Sequence, residues 1–268
     1  ICTAPLAGTV MSEVAADFEL TKKAFQMMPW GFEPKPSKQA FFQIYLTETV
    51  EDYIALGGDD RSASTTSADG KSLIRFSTIG LKKVGARYQY DARQKEPGQV
   101  CNMVAHVMTE DHYRVFYPWS RLAIEQFFRN IAYQTNGTMK FTDLVSALKK
   151  EIKFRASENA VPNLQRMLKY MRQDWLVPNQ AVIQILHEQR LDAQLLMYYF
   201  GYLDGDGAGT QWHAYCREVL KEPQSARNAD NYQKGLKLLE QMIGGRDDTR
   251  LGAEMIVKFK SIGIKLEP

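Results

Sequence analysis

His106-Val107-Met108-Thr109-Glu110 is the stretch on which the reading of this chain turns. Val100, Met103, Val104 and Val107 recur at helical spacing, so the segment predicts an amphipathic helix. His106 and Glu110 lie one turn apart and share a face beside that apolar stripe. The register is that of a metal-binding helix, His-Glu-x-x-His, in which two imidazoles hold zinc and the intervening Glu activates bound water. Here the first His is kept, Val107 stands where the Glu belongs, and Glu110 replaces the second His. Valine has no group with which to move a proton.

Upstream, Val14, Phe18, Leu20, Ala24 and Phe25 predict a helix from about Met11 to Met28, broken by a connector containing Pro29, Gly31, Pro34 and Pro36. Ala40 to Leu46, rich in aromatic and β-branched residues, reads as a buried strand. Thr47 is the expected N-cap of a short helix through Val50, Tyr53 and Leu56, stopped by Gly57-Gly58. Asp59 to Gly70 reads as a solvent loop, and Ser72 to Thr78 and Val84 to Tyr90 as two strands, the second at an edge.

Downstream of Pro118 the pattern is helical: Ser120 to Tyr133, Thr142 through Ile152, Leu164 to Met171, Asn179 to Leu186, Leu191 to Leu203, and a pair from Gln211 to Ile243. Asn136-Gly137 reads as a turn, and Asp204-Gly205-Asp206-Gly207 closes one helical segment. The expected class is α+β, with a small mixed sheet and helices in the N-terminal half and a helical C-terminal half. The expected division is residues 1–118, ending in the helix of His106, and 119–268, a helical lobe.

Composition limits the function. A chain of 268 residues is long enough for a substantial core, and 44% hydrophobic with 24% charged residues is ordinary for a globular protein. A net charge of +3 does not point to nucleic acid, and no apolar run reaches the roughly 20 residues of a membrane span. Cys2, Cys101 and Cys216 form no Cys-x-x-Cys pair and read as buried or incidental thiols, with Cys101 on the apolar side of its helix. The start, Ile1 to Gly8, has no basic region or apolar core and is not an intact signal peptide, although it fits the end left by processing. Asp204-x-Asp206-Gly207 lacks the later oxygen ligands of a calcium loop, since its twelfth position is Tyr215. His187 and His213 are isolated, and Lys22-Lys23, Lys82-Lys83 and Lys149-Lys150 read as solvated pairs. The clusters Met28-Pro29-Trp30 and Phe116-Tyr117-Pro118-Trp119 read as aromatic core before binding surface.

A longer pattern surrounds the helix of His106. Ile44-Tyr45-Leu46 followed by Glu51-Asp52-Tyr53, then a segment with Gly80 running into that helix, resembles the first part of bacterial gluzincin, peptidase-MA-like zinc peptidase domains. Pro118-Trp119-Ser120-Arg121-Leu122-Ala123-Ile124-Glu125-Gln126-Phe127 is similar to the family's second signature, in which Pro and Trp precede the Glu that is the third zinc ligand. Tyr198 to Gly207 and Phe259 to Ile264 look like the family's late helix, loop and C-terminal end. The resemblance implies a zincin-like two-lobe architecture and a bacterial periplasmic or secreted location rather than a cytoplasmic one.

The departures fall on the chemistry. By the resemblance, His106 is the first ligand, Val107 the general base, Glu110 the second ligand, Leu122 the third, and Ala123 the Gly after it. A catalytic zinc needs three protein ligands and an open position; loss of the base alone costs ~10²–10⁴-fold in rate. The expectation is therefore a non-catalytic, pseudoenzyme form with no catalytic or metal-ligating residues and no cofactor. It would act in binding or assembly on a protein or peptide, with a vestigial cleft of His106, Glu110, His112, Trp119 and Glu125. The alternative is an atypical zinc metallohydrolase built on His106, Glu110 and a further carboxylate.

Overall fold

The computed structural model describes residues 2–3, 6, 8–27, 41–60, 64–66, 71–90, 97–109, 116, 118–135, 138–157, 161–172, 182–221 and 229–268. The chain is mixed α+β and forms two compact units.

The first unit holds the sheet. Its strands are β1 (Cys2–Thr3), β2 (Gln43–Thr47), β3 (Ser64–Thr66) and β4 (Lys71–Arg75), in the order β1-β2-β4-β3. β2 runs parallel to β1 and β4, and β3 pairs antiparallel with β4. The inner strand β4 buries Ser72, Leu73 and Ile74 in succession, so both its faces are covered. Helix α1 (Gly8–Met27) buries Val14, Asp17, Phe18, Thr21, Ala24 and Phe25, a single stripe at helical spacing. It packs on α3 (Pro97–Thr109), where Thr21 Oγ1 lies 3.2 Å from Cys101 Sγ. The short α2 (Val50–Ala55) covers β2 and β4 and buries Tyr53. A 3₁₀ turn, Phe76–Ile79, leads into the hairpin of β5 (Leu81–Val84) and β6 (Arg87–Tyr90). A second hairpin, β7 (Ala132–Thr135) with β8 (Thr138–Phe141), belongs to this unit.

The second unit is helical: α4 (Pro118–Ile131), α5 (Leu144–Ser157), α6 (Leu164–Arg172), α7 (Val182–Tyr198), α8 (Thr210–Lys221), α9 (Ala229–Ile243) and α10 (Asp248–Ser261). From Leu191 to Phe200 every residue is buried, as expected of a helix surrounded by others. α5 and α6 pack on α7, and α10 on α6. The last turn of α7 widens into a π turn, Tyr199–Leu203, packed by α8 and α10. Trp119 of α4 stacks on both Phe200 and Trp212, at 6.1 and 6.0 Å between ring centres. Asp143, Asn163 and Asp247 cap α5, α6 and α10 by accepting from the amides of Ser146, Arg166 and Arg250.

Several local expectations are corrected. The N-cap of α2 is Thr49, whose Oγ1 accepts from the Asp52 amide at 3.0 Å, while Thr47 ends β2. The Asp59–Gly70 segment contributes β3, because Ser64, Thr65 and Thr66 find ladder partners on β4. The strand expected to reach Thr78 stops at Arg75, and the strand expected from Val84 to Tyr90 is the second arm of a hairpin about Gly85, at φ +61°. The helices expected at Asn179–Leu186 and Leu191–Leu203 are one element from Val182 onward, since nothing in Glu188-Gln189-Arg190 breaks it. The connector from Pro29 to Pro36 and the turn at Asn136-Gly137 lie outside the described residues.

Candidate functional site

Of the residues expected to line a vestigial cleft, the described ones, His106, Trp119 and Glu125, sit on two elements. On α3, His106 is half-buried, and Val107 is 4% exposed between Ala105, Met108 and Thr109, all buried. Thr109 Oγ1 donates back to the Ala105 carbonyl at 2.8 Å, closing the last turn from inside. Glu110 and His112 lie outside the described residues. On α4, Trp119 is fully buried, its ring enclosed by Phe200 and Trp212. Leu122 is half-buried. Glu125 Oε1 accepts from Arg121 Nε at 2.9 Å, an i,i+4 pair largely withdrawn from solvent. Among the described residues, no three His, Cys, Asp or Glu side chains converge as a metal site. Cys101 and Cys216 are buried and form no disulfide among the described residues, and desolvation pushes the Cys101 thiol up to about 12.

A cleft of about 870 Å³ opens within the second unit. Its floor is Phe200, Met242 and Ile243, and its walls come from the π turn, the Asp204–Gly209 loop, the start of α8 and one face of α10. Arg246 organises it. One guanidinium nitrogen donates to Asp204 Oδ1 at 2.6 Å, to Glu254 Oε2 at 2.9 Å and to the Tyr199 hydroxyl at 3.3 Å, while the other donates to Asp204 Oδ2 at 2.9 Å. The Tyr199 hydroxyl in turn donates to Glu254 Oε2 at 3.3 Å. Hydrogen bonds from Arg246 hold the Glu254 carboxyl below the usual range, and burial pushes Tyr199 up. Lys258 Nζ fastens the loop by donating to the Gly205 carbonyl at 2.8 Å.

This arrangement is structural chemistry first. Both Asp204 oxygens are engaged by Arg246, and Asp206 Oδ1 accepts from the amide of Ala208 at 3.0 Å. The Asp-x-Asp-Gly segment is thus a helix-terminating loop clamped by an arginine. What the cleft offers a ligand is an apolar floor with Arg250, Lys258, Thr210 and Gln211 on its walls.

Sequence reasoning missed Arg246, Glu254 and the whole of α10. The signal was present: Gly244-Gly245, both at positive φ, followed two residues later by Asp247 as N-cap. His213, read as isolated, is on α8, where burial and then Arg217 lower its pKa, so it is neutral at pH 7. The side chain of His187 lies outside the described residues. Among the described residues, no helix is long and apolar enough to cross a membrane. No family model, no curated protein and no solved structure matches this chain.

Proposed function

We propose that this chain is a non-catalytic peptidase-like domain that acts by binding. The observation that carries the reading is the packing of Val107. At the position where the resemblance requires a proton-transferring carboxylate, an apolar side chain is built into the buried face of α3, with Val104 and Met108 beside it. A carboxylate there would be desolvated among apolar neighbours. The Arg121–Glu125 pair supports the same reading. The carboxylate that an atypical metal site would recruit is already held by a guanidinium, and withdrawing it would strand a buried arginine. The zincin-like two-lobe architecture, the bacterial periplasmic or secreted location and a protein or peptide partner belong to this proposal and rest on the resemblance.

The test is hydrolysis. The purified chain, with and without added zinc, is incubated with unfolded casein and with a mixed peptide library, and products are read by mass spectrometry. No zinc-dependent cleavage is expected. Cleavage that zinc supports and His106→Ala abolishes would overturn the proposal.

A further inference from the structure

Four arginines gather on α4, α5 and α7 of the second unit. Arg121 is matched by Glu125, and Arg155 by Glu151 at 2.7 Å. Arg129 and Arg190 are half-buried and make no ion pair among the described residues, and the Nε of Arg190 is buried with no hydrogen-bond partner. They are close enough to repel each other. Burial first, then Arg129 and Arg155, pushes the Arg190 pKa down against the pull of Glu125 and Glu151.

One turn further along α7 lies Gln194, on the same face as Arg190. It is 1% exposed, and both its amide nitrogen and its amide oxygen lack a partner. Buried amides are nearly always hydrogen-bonded. A glutamine with an unused donor and an unused acceptor, one turn from an arginine whose Nε is buried without a partner, describes a missing neighbour. That neighbour must accept from arginine and glutamine, donate to the glutamine oxygen and carry negative charge.

We propose that Arg129, Arg190 and Gln194 form a binding site for hydrogen phosphate. Its double charge matches two guanidiniums that make no ion pair among the described residues, and Arg is suited to gripping oxyanions through paired N–H donors. Its P–OH supplies the donor that Gln194 Oε1 requires, which sulfate lacks at neutral pH. Arg129 and Arg190 are half-exposed and so reachable from solvent, while Gln194 is buried. The inference stands on these residues alone and is independent of the peptidase-like reading.

The test is calorimetric titration of the full chain with inorganic phosphate at pH 7 and constant ionic strength, with sulfate and hydrogen carbonate as comparators. Saturable binding of one phosphate is expected. Sulfate, and hydrogen carbonate with its single charge, should each bind about tenfold more weakly or worse, the factor one charge-assisted hydrogen bond is worth. Arg190→Gln should lose phosphate binding. Gln194→Met, nearly isosteric and folded by the criterion of circular dichroism, should bind phosphate and sulfate alike. Absence of phosphate binding, unchanged binding in Arg190→Gln, or preference for sulfate or hydrogen carbonate would each overturn the proposal. So would retained selectivity in Gln194→Met.

Discussion

Asp192 and Arg246 show how single buried charges behave in this chain. Asp192 of α7 is fully buried and accepts two hydrogen bonds from Arg166, at 2.6 and 2.8 Å. Burial outweighs that partner and pushes its pKa up to about 6. The folded state therefore binds a proton more tightly than the unfolded chain, and the associated stability is present below about pH 4 and lost as pH rises to about 6. Asp192→Asn has no such titration. The stability difference between wild type and this variant should shift toward the variant between pH 4 and pH 6, measured by urea unfolding at several pH values. A difference that does not change with pH would contradict the assignment. Arg246 is the opposite case, since Asp204 is bound to it on both oxygens with little solvent. Arg246→Met should destabilise by about 3–5 kcal/mol because a buried carboxylate is left unpaired, and pairing it with Asp204→Leu should recover most of the loss. Arg250→Ala, at an exposed rim position, should change stability by no more than about 0.5 kcal/mol. The thiols should be inert: Cys101 and Cys216 are buried with raised pKa values, so maleimide at pH 8 should label neither until denaturant is added.

Among elements, the junction of the π turn with α8 is tightly constrained. Gly209 has φ +65°, and a methyl group there would be driven into the Gly201 carbonyl oxygen. That oxygen is backbone, so it cannot move alone. Gly209→Ala should destabilise by about 2–4 kcal/mol, from left-handed strain plus the clash. Gly205→Ala, where a methyl group meets open space, should lose only the smaller strain part. Chemical denaturation of both variants separates the two contributions. Elements such as α1, α3 and α6 were legible in the sequence because each carries one apolar stripe wide enough to bury. β3 and the β7–β8 hairpin were not, because Ser64-Thr65-Thr66 and Ala132-Tyr133-Gln134-Thr135 are too short and too polar to alternate visibly; their ladder partners define them. Thr47 and Thr49 are equally good caps by residue type, and only the end of β2 decides between them.

At the scale of the molecule, helical spacing dominates the sequence after Pro118, yet residues 131–141, with the β7–β8 hairpin, belong to the sheet-bearing unit, and periodicity gave no sign of that return. The site residues were legible to a smaller extent. His106 and Val107 lie on a helix as expected, and Val107 packs inward, as an apolar residue in a stripe should. The Arg246 cluster was invisible because Arg246 and Glu254 lie more than forty residues of sequence beyond Tyr199 and Asp204. The same holds for Arg129 and Arg190, which lie on α4 and α7, far apart in sequence, and act on each other through their charge.

The central proposal is that this chain is a non-catalytic, peptidase-like domain that holds no catalytic metal and acts by binding. Its most direct test is the metal content of protein purified without chelator, by plasma mass spectrometry, together with its melting temperature before and after chelation. The account predicts well under one zinc per chain and no change in melting temperature, because a metal bound to the native state would otherwise stabilise it by mass action. Stoichiometric zinc that stabilises the chain and is lost on His106→Ala would contradict it.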